Sequence, residues 1–172
     1  GANRLGGNSL SDLLVFGNLS GIKATEYSKN IGSIPKVDDN DIRKIIQGAT
    51  SILLRENGNN PYLIHEELQK NMQYNVGIIR TKKEIENGIK EIDVLKSKFK
   101  DVKAPGSSQF NPGWHEALAL RNLLISAESV AKSALIREES RGAHTREDFP
   151  SEREEWIKYN IINKKGKDGK ME

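Results

Sequence analysis

Cysteine is absent from the 172 residues, which excludes disulfides, thiolate zinc sites, iron–sulfur ligation by this chain and a cysteine nucleophile. Histidine is scarce: His65, His115 and His144 are far apart and show no ligand spacing, which argues against a metal site. Long hydrophobic runs are missing as well. No stretch approaches the roughly eighteen apolar residues of a membrane span, and no basic-then-apolar opening resembles a secretory signal, so the expectation is a soluble, cytosolic-side protein. Apolar residues make up only 35% of the chain and charged residues 30%. A core must therefore come from well-patterned helices rather than bulk hydrophobicity.

Charge of one sign is also in short supply. Lys and Arg number 27 against 24 Asp and Glu, a formal excess of three. Much of that excess lies in the tail, where Lys164, Lys165, Lys167 and Lys170 outnumber Asp168 and Glu172. A frayed, solvated tail is expected rather than an electrostatic arm, and nucleic acid is not the expected partner.

What is present is helical periodicity, punctuated by caps. Ser9 and Asp12 have the spacing of a capping box ahead of Leu13-Leu14-Val15-Phe16, which predicts a first helix from Asn8 or Ser9 to about Ser28. Gly32 and Pro35 break the chain. Asp38 to Asp41 then offer an N-cap and acidic first turn for a second helix carrying Ile42, Ile45, Ile46, Ala49, Leu53 and Leu54, ended by Gly58. Asn60-Pro61 restarts the chain, with Ile64, Leu68, Met72 and Val76 on one face.

Thr81 to Glu84 forms a second capping box, followed by Ile85, Ile89, Ile92, Leu95, Phe99 and Val102 at steps of three and four. A Pro/Gly/Ser loop covers 104–111, and Asn111-Pro112 opens a last helix running to about Arg137. Its Leu- and Ala-rich surface wraps more than one face, as in a helix packed between two others. The fold class expected is all-α, with an up-down-up bundle of helices starting near 61, 81 and 112. Ile85, Ile89, Ile92 and Phe99 are expected to face Leu120, Leu124 and Ala131. Beyond Arg137 the periodicity stops. Residues 138–150 read as a structured loop, and Trp156 to Ile162 alternates like a short strand without a partner.

The opening Gly1-Ala-Asn-Arg-Leu-Gly-Gly-Asn-Ser-Leu10 runs a Gly-rich loop into a helix N-terminus, a geometry able to hold an anion or an electron-rich ring. Gly-Gly before a helix is more often a plain turn. Arg4 adds a guanidinium suited to a two-point grip on a carboxylate.

Gly1 to Gly17 resembles the last flavin-contacting segment of the succinate dehydrogenase and fumarate reductase flavoprotein subunits. Asn111 to Pro150, above all Glu139-Ser-Arg-Gly-Ala-His-Thr-Arg-Glu-Asp-Phe-Pro150, resembles the same family's C-terminal helical domain and the loop after it. Two motifs in the family's order make the resemblance specific; residues 23–38 and the Lys-rich end depart from it. The resemblance implies that the chain is the C-terminal portion of a larger flavoprotein, beginning inside its flavin domain. The family's dinucleotide-binding motif, flavin-bonded His and proton-donating Arg would all precede Gly1.

The domains implied are 1–33, a remnant of the FAD-binding domain; 34–140, a helical bundle; and 141–172, an Arg/His loop and basic tail. Arg4 matches the family's substrate-binding arginine, and Ser9 and Leu10 match its contact with the flavin edge, with Asn3 and Asn8 bracing the loop. No catalytic residue is expected in the fragment, and no metal. The implied function is FAD-dependent interconversion of succinate and fumarate, with electrons exchanged with an iron–sulfur subunit. The implied location is cytoplasmic, at the inner face of the membrane through partner subunits. L-aspartate oxidase, with a similar Ser-Arg-Gly loop, and a non-catalytic helical interaction module are the rival readings.

Among the remaining polar residues, His144 is expected to dock its loop on the flavin domain, and Arg141 and Arg146 to act in salt bridges or docking. Trp114 is read as a packing anchor, and Glu66, Glu67 and Glu84 as solvated faces or caps. The first helix exposes Leu10, Leu13, Leu14, Val15 and Phe16. The chain alone is therefore expected to self-associate, by pairing or by exchange about 32–36, in preference to folding that helix onto its own bundle.

Overall fold

The computed structural model describes residues 8–172. Five helices dominate: α1 (Asn8–Asn30), α2 (Asp39–Thr50), α3 (Pro61–Asn75), α4 (Lys82–Phe99) and α5 (Pro112–Ile136). Two short strands, β1 (Ile79–Arg80) and β2 (Thr145–Arg146), pair in parallel, with Ile79 opposite Thr145 and Arg80 opposite Arg146.

Local chemistry sets the helix starts where the sequence places them. Asp38 accepts from the Asn40 amide, Asn60 from Tyr62 and Asn111 from Trp114. Each satisfies one of the amides that a first helical turn leaves unpaired. Pro61 and Pro112 occupy first-turn positions where no amide is needed. At α4 the capping box is complete in both directions, Thr81 with the Glu84 amide and Glu84 with the Thr81 amide.

Helices α3, α4 and α5 pack on one another around a single apolar core. Ile64 and Leu68 come from α3, Ile85, Ile92 and Leu95 from α4, and Leu120, Leu124, Ala127 and Ala131 from α5; all are buried. Ile89, Phe99 and Met72 are partly buried against this core. The expected facing of α4 and α5 is therefore present. The Lys82 amide, at the start of α4, donates to Asp148, while Arg146 donates to carbonyls at the end of α5. The start of α4 and the end of α5 thus lie together, and the two helices run antiparallel. Gly88 lets α3 approach α4 closely: a Cβ there would lie 2.9 Å from a Val76 methyl, and Asn71 donates to its carbonyl oxygen.

Three expectations need correction. The second helix does not continue through Leu54; α2 stops at Thr50 and a turn follows. The cause is a tertiary contact, since the Ile52 carbonyl accepts from the Ala104 amide and the Ile52 side chain is buried in the core. Gly58 closes the same region, where any Cβ would collide with the Asp101 carbonyl oxygen.

Trp156 to Ile162 is not a strand. Residues Glu154–Lys158 form a 3-10 turn, with the Trp156 ring beneath the Arg137 guanidinium at 5.0 Å. The Lys-rich tail is not frayed either. It folds into a small antiparallel turn through the Lys164–Glu172 and Lys165–Met171 pairings. Lys132 on α5 donates to the Met171 carbonyl, and Asn163 donates to Ser133, so the turn is tied to α5.

Helix α1 does not fold back on the bundle. Leu10, Leu13, Leu14, Val15 and Phe16 are all exposed, Leu14 at 75%. Ile45 and Ile46 of α2 are exposed as well. Consecutive apolar residues thus lie uncovered on more than one face of α1.

Candidate functional site

The residues singled out in the sequence fall into two places. Arg4 and Asn3 lie outside the described residues, as does the side chain of Asn8. Ser9 and Leu10 form the first turn of α1, where Ser9 is partly buried and Leu10 is 72% exposed. No acidic residue occupies that first turn. The nearest carboxylate in sequence is Asp12, one turn further along the helix.

The second place is the segment 137–153, which lies across the end of the bundle formed by α5 and the α3–α4 connection. Glu139 is fully buried at its centre. One carboxylate oxygen accepts from Arg137 at 2.5 Å and the other from Arg141 at 3.0 Å and from the Arg153 amide at 2.9 Å. The Arg141 hydrogen bonds hold the carboxyl at about 2, against the opposing effect of burial. The Ser140 hydroxyl donates to the Phe149 carbonyl and accepts from the Arg146 amide, both at 2.8 Å.

Arg146 is also completely buried. Its guanidinium donates to the Ala134 carbonyl at 2.8 Å and the Leu135 carbonyl at 3.2 Å, closing the C-terminal end of α5. Its other nitrogens form a two-point pair with Asp148. These hydrogen bonds from Arg146 hold the Asp148 carboxyl at about 2.

His144 is half-buried in the same segment. Arg80 donates to its Nδ1 at 2.9 Å, and its Nε2 lies 3.1 Å from the Arg137 carbonyl oxygen. Because arginine can only donate, Nδ1 accepts and the proton resides on Nε2. Burial, and then the nearby Arg80, Arg146 and Arg137, push its pKa down, so the ring is held neutral. His144 therefore has no free ring nitrogen with which to make a polar contact of its own to another domain. Both ring nitrogens are spent on partners within this chain, because a half-buried imidazole must satisfy each of them.

Arg141 and Arg146 are salt-bridge residues internal to the loop, as one of the two readings held. Glu139 and Asp148 are saturated with donors and held far below neutral pH. Each carboxylate is thus committed to hydrogen bonds that hold the segment together.

The other residues take the bland roles assigned to them. Trp114 packs against the core and donates from its indole to the Ala49 carbonyl at 2.8 Å, fastening α5 to the end of α2. Glu66 pairs with Lys70, Glu67 with Lys98, and Glu84 caps α4. Among the pairs the sequence reading missed are His65 with Glu116 at 2.5 Å and Arg80 with His144. Both join residues distant in sequence, and no local spacing signals either.

Comparison with known proteins agrees with this architecture. The family described as "Fumarate reductase flavoprotein C-term" matches residues 65–172. Over 96% of its length the chain is 38% identical to a subunit of the fumarate reductase (CoM/CoB) of Methanothermobacter marburgensis, covering 30% of that protein. It is likewise 38% identical over 97% of its length to the succinate dehydrogenase flavoprotein subunit of Rickettsia conorii, covering 29% of it. Among solved structures, the Mycobacterium smegmatis Sdh1 complex superposes with a TM-score of 0.83 at 43% identity, over 90% of this chain and 26% of that one. The chain thus spans about a third or less of the length of the proteins it matches. Its helical bundle, its Arg/His loop and nearly its whole sequence place it in the succinate dehydrogenase/fumarate reductase flavoprotein family.

Proposed function

We propose that this chain is the C-terminal portion of an FAD-dependent flavoprotein subunit that interconverts succinate and fumarate. Residues 1–33 belong to its flavin domain, 34–140 form the helical bundle and 141–172 form the loop and tail. The observation that carries the reading is the 38% identity, over nearly the whole chain, to subunits of both a fumarate reductase and a succinate dehydrogenase.

The described end of α1 fits one edge of a flavin. Its first turn has no carboxylate, Leu10 is exposed, and the apolar sides of α1 are uncovered in a way that a surrounding domain would correct. When bound, FAD supplies the two-electron redox chemistry. The residues of this chain would position and polarise: the first turn at Ser9 and Leu10 would hold one edge of the flavin, where the positive end of the α1 dipole would favour negative charge on the ring. Arg4 would grip a carboxylate of the dicarboxylate, a contribution of orientation. An iron–sulfur subunit exchanges the electrons, and partner subunits hold the assembly at the inner face of the membrane. Among the described residues no helix is long and apolar enough to cross a membrane.

The complete subunit should purify yellow. Arg4→Lys in it should impair turnover severely while flavin is retained, because an ammonium cannot reproduce a planar two-point grip. The 172-residue chain alone should be colourless and inactive. Equal turnover of Arg4→Lys and parent removes Arg4 from the site, and a complete subunit without flavin overturns the reading itself.

A further inference from the structure

Arg80 stands apart from the other arginines at its end of the molecule. Arg137 and Arg141 share Glu139, Arg146 holds Asp148, and Arg153 reaches Glu138 and Glu155. Arg80 contacts only neutral groups: its Nε donates to the Gly77 carbonyl at 2.6 Å, and one terminal nitrogen donates to His144. Among the described residues no carboxylate forms an ion pair with it. Burial, and then the charge of Arg146, push its pKa down from the usual arginine range. A half-buried cation facing another cation is a local cost that the chain itself does not offset.

The geometry nevertheless holds the side chain ready. β1 fixes its backbone against β2, and its carbonyl accepts from the Glu147 amide. His144, itself held by the Arg137 carbonyl, orients the guanidinium. The remaining terminal N–H groups form the donor edge that matches a carboxylate. Ile78 and Ile79, beside it in sequence, are exposed. An oriented arginine with apolar neighbours has the composition of a protein–protein contact. About 70% of the length of the matched relatives lies outside this chain. A carboxylate carried on the same polypeptide also meets Arg80 at an effective concentration that free anions cannot rival.

We propose that Arg80 is a docking residue whose open guanidinium edge receives an aspartate or glutamate from the portion of the complete flavoprotein subunit outside these 172 residues. This rests on the reading of the chain as part of such a subunit. His144 is then a positioning residue that aims Arg80.

The test uses the complete subunit with a benzophenone photo-crosslinking side chain at Ile79, leaving Arg80 intact. Mass spectrometry should find a crosslink to an Asp- or Glu-containing peptide outside the 172 residues. Arg80→Gln in the same background should reduce its yield about tenfold, the scale of a lost charge-assisted hydrogen bond. Arg80→Lys should restore part of the yield. No crosslink, crosslinks confined to residues 8–172, or crosslinks to an iron–sulfur subunit or a second copy overturn the proposal. So does an external crosslink that Arg80→Gln leaves unchanged, since the contact is then apolar only. The flavin content of the unsubstituted subunit, measured on the same sample, tests the parent reading separately. A yellow subunit without the crosslink refutes the Arg80 contact alone.

Discussion

Arg146 and Asp148, two positions apart, face each other through two parallel hydrogen bonds of 2.8 and 2.7 Å, with the guanidinium wholly buried and the carboxylate partly open to solvent. The pair fastens the loop after α5 to the start of α4, because Asp148 also accepts from the Lys82 amide. Asp148→Asn leaves a buried cation without its counter-charge. Stability should fall by roughly 2–3 kcal/mol, near the lower end for a broken buried pair because Asp148 retains solvent contact. Chemical denaturation of parent and variant measures this.

The same segment sets the acid limb of stability. His144 has a lowered folded pKa, so its contribution is complete above the ordinary imidazole value near 6.5 and begins to be lost as pH falls through it. Glu139 and Asp148, both held at about 2, contribute fully above their ordinary values near 4.5 and 3.8. Their contributions are lost as pH falls from there toward 2. Thermal unfolding followed from pH 8 to pH 2 should therefore decline in two stages. Asp148→Asn should flatten the lower stage and leave the upper one unchanged.

Ile92 is fully buried between α4 and its neighbours. Ile92→Ala should cost roughly 2–5 kcal/mol, combining lost transfer energy with a residual cavity. Denaturant unfolding would show it as a lower midpoint, and a loss below about 0.5 kcal/mol is what a surface position gives.

The apolar surface of α1 should make the 172-residue chain self-associate. Sedimentation over a range of concentrations should show a concentration-dependent increase in mass, and Leu14→Glu should abolish it, since Leu14 is among the most exposed of the apolar residues there. Concentration-independent monomer sedimentation of the parent chain refutes this.

Features written within a few residues were the legible ones. Thr81 with Glu84, Asn60 with Pro61 and Asn111 with Pro112 each encode a helix start in consecutive positions, and the structure begins α4, α3 and α5 there. Ile85, Ile92 and Leu95 recur at helical spacing and are buried together. What escaped depended on distant partners. Ile52 leaves the helix because Ala104 needs its carbonyl, and Trp156 turns under Arg137 rather than extending as a strand.

The candidate site shows the same division. The Gly-rich opening and the Arg/His loop could be recognised as motifs, but the isolation of Arg80 could not. It is visible only once His144, far along the chain, is placed beside it and every nearby carboxylate is found engaged elsewhere.

The parallel pairing of β1 with β2 has a kinetic consequence. It joins residues 79–80 to 145–146 across the whole of α4 and α5, so it closes a long loop for very few backbone hydrogen bonds. The entropy of that closure is recovered only when α4 and α5 are already side by side and the ends of both strands are held near each other. The clasp should accordingly form after the helices have assembled and open before they separate. Amide exchange at Glu147, whose N–H donates to the Arg80 carbonyl, should then report a partial opening, at a lower free energy than exchange at Ile92 or Leu124.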